Sequence, residues 1–494
     1  MFNTTLGYVV TFQHNSTEYL QLSVPSGDTI EAPDNPTVTT GNSFVGWYTQ
    51  INGGGTRISF PYTPSANITL YSYTVPETFI TFSSENPFTF GIVDNTQYYA
   101  GTLEYSTNKT SWTTFTPSNG DISAVLNNNK EYILCLRGLN NTKITGNVAE
   151  GQGSFEIKGI YVNCTGNIEN LLNYITVQNG QHPTMATYCY YRLFQGCSAL
   201  TSAPSLPATT LTSYCYHSMF RGCTCLREPP ALEASTLTSY CYYAMFRDCT
   251  SLKYTPTLAS TSLGARCYGE MFYNCISLET ITTLPATTVT DYCYYYMFYN
   301  CVKLKTTPAL NATTLGIYCY AYMFYNCTSL TNMITLPATT LKNYCYQMMF
   351  RGCTSITEVP ILAATTMTTS CYYGMFYGCT GITHAMKLAS SSLGNNCYRQ
   401  MFYGCTSLVD LIELPATTMK TYCYYQMFYG CTNIKLSTTQ TGDYQTVYRI
   451  PKTGTATTAS NDVAGMFTNT GGTFTGAPTL DTTYYTSNNV ISAS

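Results

Sequence analysis

The sequence predicts an α/β solenoid: ten 26-residue strand–helix units in an array, preceded by two small β-rich domains. Three observations carry this expectation. A cysteine recurs every 26 residues, each unit holds a ten-residue segment with one apolar stripe, and a short leucine-bearing extended run follows it. A chain of 494 residues is too long for one globular core, so an array or several domains are required.

The cysteine series runs from Cys189 and Cys215 to Cys423, and a second keeps the same step from Cys197 and Cys223 to Cys431. Phenylalanine holds its place from Phe194 to Phe428, and tyrosine from Tyr190 to Tyr424. Placed at roughly 100° per residue, Cys189, Tyr190, Leu193, Phe194 and Cys197 share one arc of a helical wheel. The changeable positions 188, 191, 192 and 195 fall opposite, so the segment reads as a short amphipathic helix. The residue before the second cysteine is Gly, Asn or Asp throughout, from Gly196 through Asp248 and Asn274 to Gly430. These types best tolerate the left-handed conformation that ends a helix.

An extended run follows, such as Ser198 to Leu206, with Leu200, Pro204 and Leu206 apolar; prolines at 207, 285, 337 and 415 then end strand pairing. Strands pair at roughly 4.8 Å and helices at roughly 8–10 Å, a mismatch that would bend the stack with its strands on the concave side. The end units of an array must differ to cap its core. Residues 168–172 read as a small capping helix, and Gly465-Met466-Phe467 as a degenerate echo of the unit. The residues beyond about Tyr485 are expected to fray. Alternating strand patterns occupy 1–75 and 76–165. The expected division is thus 1–75, a first β domain; 76–165, a small β module; 166–436, the solenoid; and 437–494, a C-terminal cap and tail.

Composition excludes several classes. Charged residues are only 10% of the chain, against roughly 25% in typical soluble domains, and the net charge is −3. Without a Lys/Arg cluster, neither nucleic acid nor an anionic membrane is an expected partner. No run approaches the ~18 apolar residues of a membrane span. The start, MFNTTLGYVVTFQHN, has no basic or apolar region of a secretory signal, so synthesis and folding in a cytoplasm are expected.

The units, in forms such as YCYYYMFYNC and CTSLTNMITLPATTL, resemble the BspA-like leucine-rich repeats of surface proteins from gut bacteria and their phages. Residues 8–75, with VTFQHN, GDTIEAPDNPTV, FVGWYT and ITLYSYTV, are similar to the Listeria–Bacteroides repeat, the B-repeat of internalins. The resemblance implies a leucine-rich-repeat-like array behind a β-grasp-like domain. It also implies adhesion or host-surface binding, and it carries no catalytic residues.

Of the 23 cysteines, all but Cys135, Cys164 and Cys225 belong to the two series. Eight helical residues separate a unit's pair by roughly 12 Å, and neighbouring helices stand roughly 8–10 Å apart. Both exceed the ~7 Å limit for a bridge, so buried free thiols acting as small hydrophobes are expected. The spacing also lacks the tight pairs of a zinc site. His14, His182, His217 and His384 are scattered, and no nucleophile–base set, phosphate loop or paired carboxylate is present. No enzyme activity, metal or cofactor is expected.

Two surfaces compete as the binding site. On the strand side, Arg227, Glu228, Lys253, Tyr254, Glu279, Lys305, Asn332, Glu358, His384, Lys387, Asp410 and Glu413 change in charge and size between units. Positions that vary on a constant frame are where a repeat protein encodes specificity. On the helix side, position 195 reads as a Tyr/Arg row that includes Tyr273, Tyr299, Tyr325, Tyr377, Tyr403 and Tyr429. Such residues supply rigid contact area, or they simply cover the neighbouring unit. The strand face is the expected source of specificity, because like residues in register discriminate poorly. The expected protein is a tail or head fibre or other receptor-binding component on the virion of a gut bacteriophage, with a bacterial surface adhesin as the alternative. Its partners would be a host-surface glycan or protein, and other virion proteins.

Overall fold

The computed structural model describes residues 7–38, 42–93, 101–145, 153–332, 334–388 and 390–492. Part of the N-terminal reading falls on residues 1–6, outside the described residues.

Strands β1 (Gly7–His14), β2 (Thr17–Pro25), β3 (Asn42–Tyr48) and β4 (Ile68–Pro76) form one sheet in the order β2-β1-β4-β3, its central pair β1 and β4 parallel. Asn15 and Ser16, both at positive φ, close the β1–β2 hairpin in the conformation that matches strand twist. Alternation along the strands buries Val10, Phe12, Trp47 and Leu70 in a core of their own.

The second β-rich part is a two-sheet sandwich. One sheet contains β5 (Ile80–Ser84), β7 (Leu103–Ser106), β8 (Thr113–Thr114), β10 (Val125–Leu126), β11 (Tyr132–Gly138) and β13 (Asn163–Thr165). The other contains β6 (Thr89–Ile92), β9 (Ile122–Ser123) and β12 (Phe155–Lys158). Its core is continuous with that of the array, and Phe155 packs edge-on against Phe194 at 5.5 Å. The Ile144 and Phe155 N–H groups donate to the Cys189 and Leu193 carbonyls at 2.9 and 2.7 Å, standing where a preceding coil would stand. The sandwich is therefore the N-terminal cap. The helix expected at 168–172 lies later, at α1 (Asn170–Gln178), and packs beside β11.

The strand–helix unit requires correction, because residues 188–197 and their equivalents form a ribbon of overlapping turns and no helix. Tyr191, Leu193, Gln195 and Cys197 donate N–H three residues back within their own coil, at 3.0–3.3 Å. Tyr190, Arg192, Phe194 and Gly196 instead donate to Cys215, His217, Met219 and Arg221 of the next coil, at 2.8–3.0 Å. Every fourth residue is left-handed, as at Tyr188 (φ 61°), Arg192 (φ 58°) and Gly196 (φ 80°). That conformation costs an L-residue roughly 1–2 kcal/mol, and it is offset by satisfying the intervening N–H groups between coils. The left-handed reading of position 196 holds, but it closes a turn in place of a helix.

The expected strands are also sparser. Most coils touch on this side through single parallel bridges, such as Leu206 to Leu232 and Leu284 to Leu310. Pairing resumes beyond Pro207, at Thr210 with Thr236. Because coils are hydrogen-bonded on both sides, the spacing mismatch is absent, and with it the reason for a concave strand face.

Two aromatic columns run up the core. Tyr190 to Tyr424 stack at 5.4–6.0 Å and are at most 2% exposed. Phe194 to Phe428 stack at 5.3–5.9 Å. The column ends on the echo near the C-terminus: Phe467 stacks on Phe428 at 5.7 Å, and the Phe428 N–H donates to the Met466 carbonyl at 3.1 Å. The cap is completed by β14 (Asp410–Ile412), β15 (Leu436–Ser437), β16 (Thr446–Arg449), β17 (Thr483–Thr486) and β18 (Asn489–Ile491). The fraying expected beyond Tyr485 does not extend to β18, which pairs in parallel with β14; residues 493–494 lie outside the described residues.

Every cysteine is a free thiol, but distance is not the reason. The Cys267 and Cys293 sulfurs approach to 3.3 Å, so the inter-unit separation expected from helix packing is overturned. The second series is engaged otherwise: Cys223, Cys249 and Cys353 each donate S–H to the phenylalanine carbonyl of the preceding coil, at 3.0–3.1 Å. Only Cys225 is partly exposed. Native protein treated with iodoacetamide at pH 8 should therefore label rapidly at Cys225 alone, with the other thiols reacting only after denaturation. Rapid labelling at Cys267 or Cys223 would show that the core is open.

Candidate ligand-binding surfaces of the array

Ten of the twelve strand-side candidates fall into two registers that the coils stack in line, and Lys387 and Glu413 share a third. The first runs through Arg227, Lys253, Glu279 and Lys305; the Glu279 N–H donates to the Lys253 carbonyl at 3.0 Å, and Thr331 to Lys305 at 3.1 Å. The second, one residue on, runs through Glu228, Tyr254, Asn332, Glu358, His384 and Asp410. Backbone pairing holds these positions in register, and the side chains of Arg227, Glu228, Lys253, Tyr254, Glu279, Lys305, Glu358 and Lys387 are exposed.

Four candidates serve the fold. Asp410 is 2% exposed; its carboxylate accepts the Ala385 N–H at 3.1 Å and Asn489 Nδ2 at 3.3 Å. His384 is exposed, but its Nδ1 sits 3.0 Å from Asp410 Oδ2. Asn332 Oδ1 accepts the Thr307 N–H at 2.8 Å, and Glu413 pairs with Lys452 at 2.7 Å. Sequence variation at these positions reflects local partners, which a single chain read in one dimension does not reveal.

On the turn-ribbon side, residues of the 195 register are half-buried and stacked. The Arg247 guanidinium lies 4.2 Å from the Tyr273 ring, and Tyr273, Tyr299 and Tyr325 follow at 4.4 and 4.6 Å. Arg351 lies between Tyr325 (5.4 Å) and Tyr377 (4.1 Å), and Tyr377, Tyr403 and Tyr429 continue at 4.4 and 4.5 Å. Each ring covers its neighbour, which is the packing use weighed for this row, and the ring edges face outward. Burial and neighbouring phenols push the Tyr403 hydroxyl up to about 12.

A second row, not singled out from the sequence, runs through register 188. Tyr188, Tyr214 and Tyr240 stack at 4.6 and 4.5 Å; Arg266 lies between Tyr240 and Tyr292; and Tyr292, Tyr318 and Tyr344 stack at 4.9 and 4.3 Å. Its signal was visible as tyrosine at position 188 in most units. Between the rows, Tyr243 and Arg247 both hydrogen-bond Glu270. His217 is stacked between Tyr191 and Tyr243, and burial, with Arg192 beside it, lowers its pKa to about 3. It is therefore a neutral group packed among rings.

Among the described residues no three His, Cys, Asp or Glu side chains are grouped to hold a metal, and no helix is long and apolar enough to cross a membrane.

Comparison with protein families matches residues 8–72 to the Listeria-Bacteroides repeat domain. Residues 242–383 and 318–448 match the BspA type leucine rich repeat region, in 6 copies. Neither a curated relative nor a solved structure matches the chain. The chain thus carries BspA-type leucine-rich repeats over residues 242–448, behind a Listeria–Bacteroides repeat domain at residues 8–72.

Proposed function

We propose that this is a non-enzymatic binding protein of an exposed surface, and specifically a tail- or head-fibre component that attaches a gut bacteriophage to its host. One observation carries the binding role. The Tyr190 and Phe194 columns repeat almost unchanged, while the exposed side chains of the 227 and 228 registers change charge and size from coil to coil. A constant frame with a varied, registered surface is how a repeat protein encodes one specific partner. The two family matches support an adhesion-type role at a surface.

The virion reading is supported by the thiols. A core holding this many unbridged cysteines, one pair of them at 3.3 Å, suits folding in a reducing compartment such as the cytoplasm where particles assemble. The partners would be a host-surface glycan or protein and the neighbouring virion proteins. A bacterial cell-surface adhesin is the second reading, favoured by the repeat type itself.

Immunogold labelling of purified particles and of cells separates the two: label on particles supports the virion, and label on cells alone refutes it. For the binding surface, the triple variant Lys253→Ala, Tyr254→Ala, Lys305→Ala should attach to host cells at least about tenfold more weakly, a loss of about 1.4 kcal/mol, with an unchanged melting curve. Undiminished attachment would exclude the strand face.

A further inference from the structure

The turn-ribbon face has a charge balance that the strand face lacks. Registers 188–196 contain six arginines (192, 221, 247, 266, 351 and 399) and two acids, Asp248 and Glu270, a surplus of four positive charges on a chain of net charge −3. Both acids are committed, to Arg221 and Arg247. Among the described residues no carboxylate pairs with Arg192, Arg266, Arg351 or Arg399. These cations are held by rings instead: Arg351 between Tyr325 and Tyr377, and Arg399 5.0–5.2 Å from Tyr373, Tyr422 and Tyr425. A guanidinium wedged between phenols is pre-ordered, and its planar fork of N–H donors suits a bidentate anion.

Orphaned polar atoms gather on the same face. Arg192 Nε, Gln195 Oε1, His217 Nδ1, Gln347 Oε1 and Arg399 Nε are buried without a hydrogen-bond partner. Buried polar atoms are rarely left so; these are spread along the face, from the first two coils (Arg192, Gln195, His217) to the seventh and ninth (Gln347, Arg399), so a ligand that completes them must run along the array. Arg247, Tyr273, Tyr299, Tyr325 and Arg351 also line a shallow groove of about 500 Å³ that crosses several coils; Glu270 lines it too, its carboxylate paired with Arg247, which leaves Arg351 as the groove's uncompensated cation.

The stacking geometry narrows the ligand further. Neighbouring rings in the row are within 4–22° of parallel and 4.4–4.6 Å apart, so each ring face is covered by the next. What remains outward is ring edges and hydroxyls, one per coil. Binding of single-stranded nucleic acid relies on free ring faces for base stacking, and these are not offered. A polyol that repeats along the array can use the hydroxyls, and anionic substituents on it can use the arginines.

We propose that this face, centred on the groove between Arg247 and Arg351, binds an extended acidic polysaccharide through its carboxylate or sulfate groups. The proposal rests on the chain being a binding protein, but it does not depend on which particle or cell carries it.

The test uses the full chain and immobilised probes: polygalacturonate for carboxylate, dextran sulfate for sulfate, neutral dextran, and single-stranded DNA. At least one acidic glycan should bind, with affinity falling as salt rises from low to physiological strength, as expected of exposed charges. Arg351→Ala with Arg399→Ala should weaken it tenfold or more, and Arg351→Lys should not restore it. Tyr299→Phe with Tyr325→Phe, which keeps the stacks and removes two hydroxyls, should weaken it several-fold and covers the case in which the arginine variant misfolds. Lys143→Ala, at an exposed lysine of the N-terminal cap outside both candidate surfaces, should bind as the parent does. No acidic glycan bound, equal binding of neutral dextran or DNA, or full affinity in both folded variants would overturn the proposal. Cell attachment measured in parallel separates this from the binding role itself: attachment retained without glycan binding refutes the site alone, and attachment lost by the parent chain refutes the role.

Discussion

Raising the pH above about 9 should unfold the array cooperatively, because its core is lined with thiols that the fold keeps protonated. Burial pushes Cys197, Cys327, Cys379 and Cys431 up to about 12, against the lesser pull of backbone hydrogen bonds. In the unfolded chain a thiol ionises near about 8.5. Between these values the unfolded state binds fewer protons than the native one, so stability falls as pH rises. The stabilisation is fully present below about 8.5 and is lost above it, at about 1.4 kcal/mol per pH unit for each such thiol, until the folded value is reached. The buried tyrosine column, Tyr190 to Tyr424, is shifted upward for the same reason and adds its share above about 10. A stability of about 5–15 kcal/mol cannot withstand that many groups for much more than one pH unit. Far-UV circular dichroism followed from pH 7 to 11 with reductant present should show one steep transition, reversed on return to neutral pH. A spectrum unchanged at pH 11 would mean the thiols are not sealed in the core.

Replacing Phe324 with Ala should cost roughly 3–5 kcal/mol, the range for a fully buried aromatic. Phe324 is 0% exposed and is stacked on Phe298 and Phe350, each at 5.5 Å. In a stack where each coil contacts only its neighbours, the substitution also weakens the coupling of the coils on either side. Urea unfolding should therefore shift to lower midpoint and broaden, with the two sides separating. Tyr325→Ala, one residue away, removes a half-buried ring stacked at 4.6 Å on Tyr299 and should cost only about 0.5–1.5 kcal/mol. Equal losses at the two sites would mean that the inward and outward positions have been misassigned.

The inward and outward positions were legible without coordinates. Cys189, Tyr190, Leu193, Phe194 and Cys197 are at most 2% exposed, as the apolar stripe required, and position 195 faces outward. The conformation behind that pattern was not. A run that reads out-in-in-out has a period of four, or about 90° per residue, and over one short segment it is hard to tell from the roughly 100° of a helix. Local preference argued against the true answer, since tyrosine and arginine seldom adopt the left-handed conformation that Tyr188 and Arg192 hold. Only the hydrogen bonds from one coil to the next offset that cost, and those exist only once the coils are stacked.

The sequence by itself determined the repeat, its 26-residue step, the residues that form the core columns and the family resemblances of the N-terminal domain and the array, because each is a property of order along the chain. The tertiary structure decided the distances between coils. It set turns where helices were expected, brought the Cys267 and Cys293 sulfurs to 3.3 Å, and removed the mismatch that would have curved the array. It also took Asp410 out of the candidate surface, since the asparagine that helps bury it, Asn489, lies 79 residues further along. On the opposite face it placed Arg351 between two tyrosines, each from an adjacent coil, leaving a cation with no carboxylate partner among the described residues. Charge compensation and burial are set by neighbours in space, and in a solenoid those neighbours sit a full coil away in sequence.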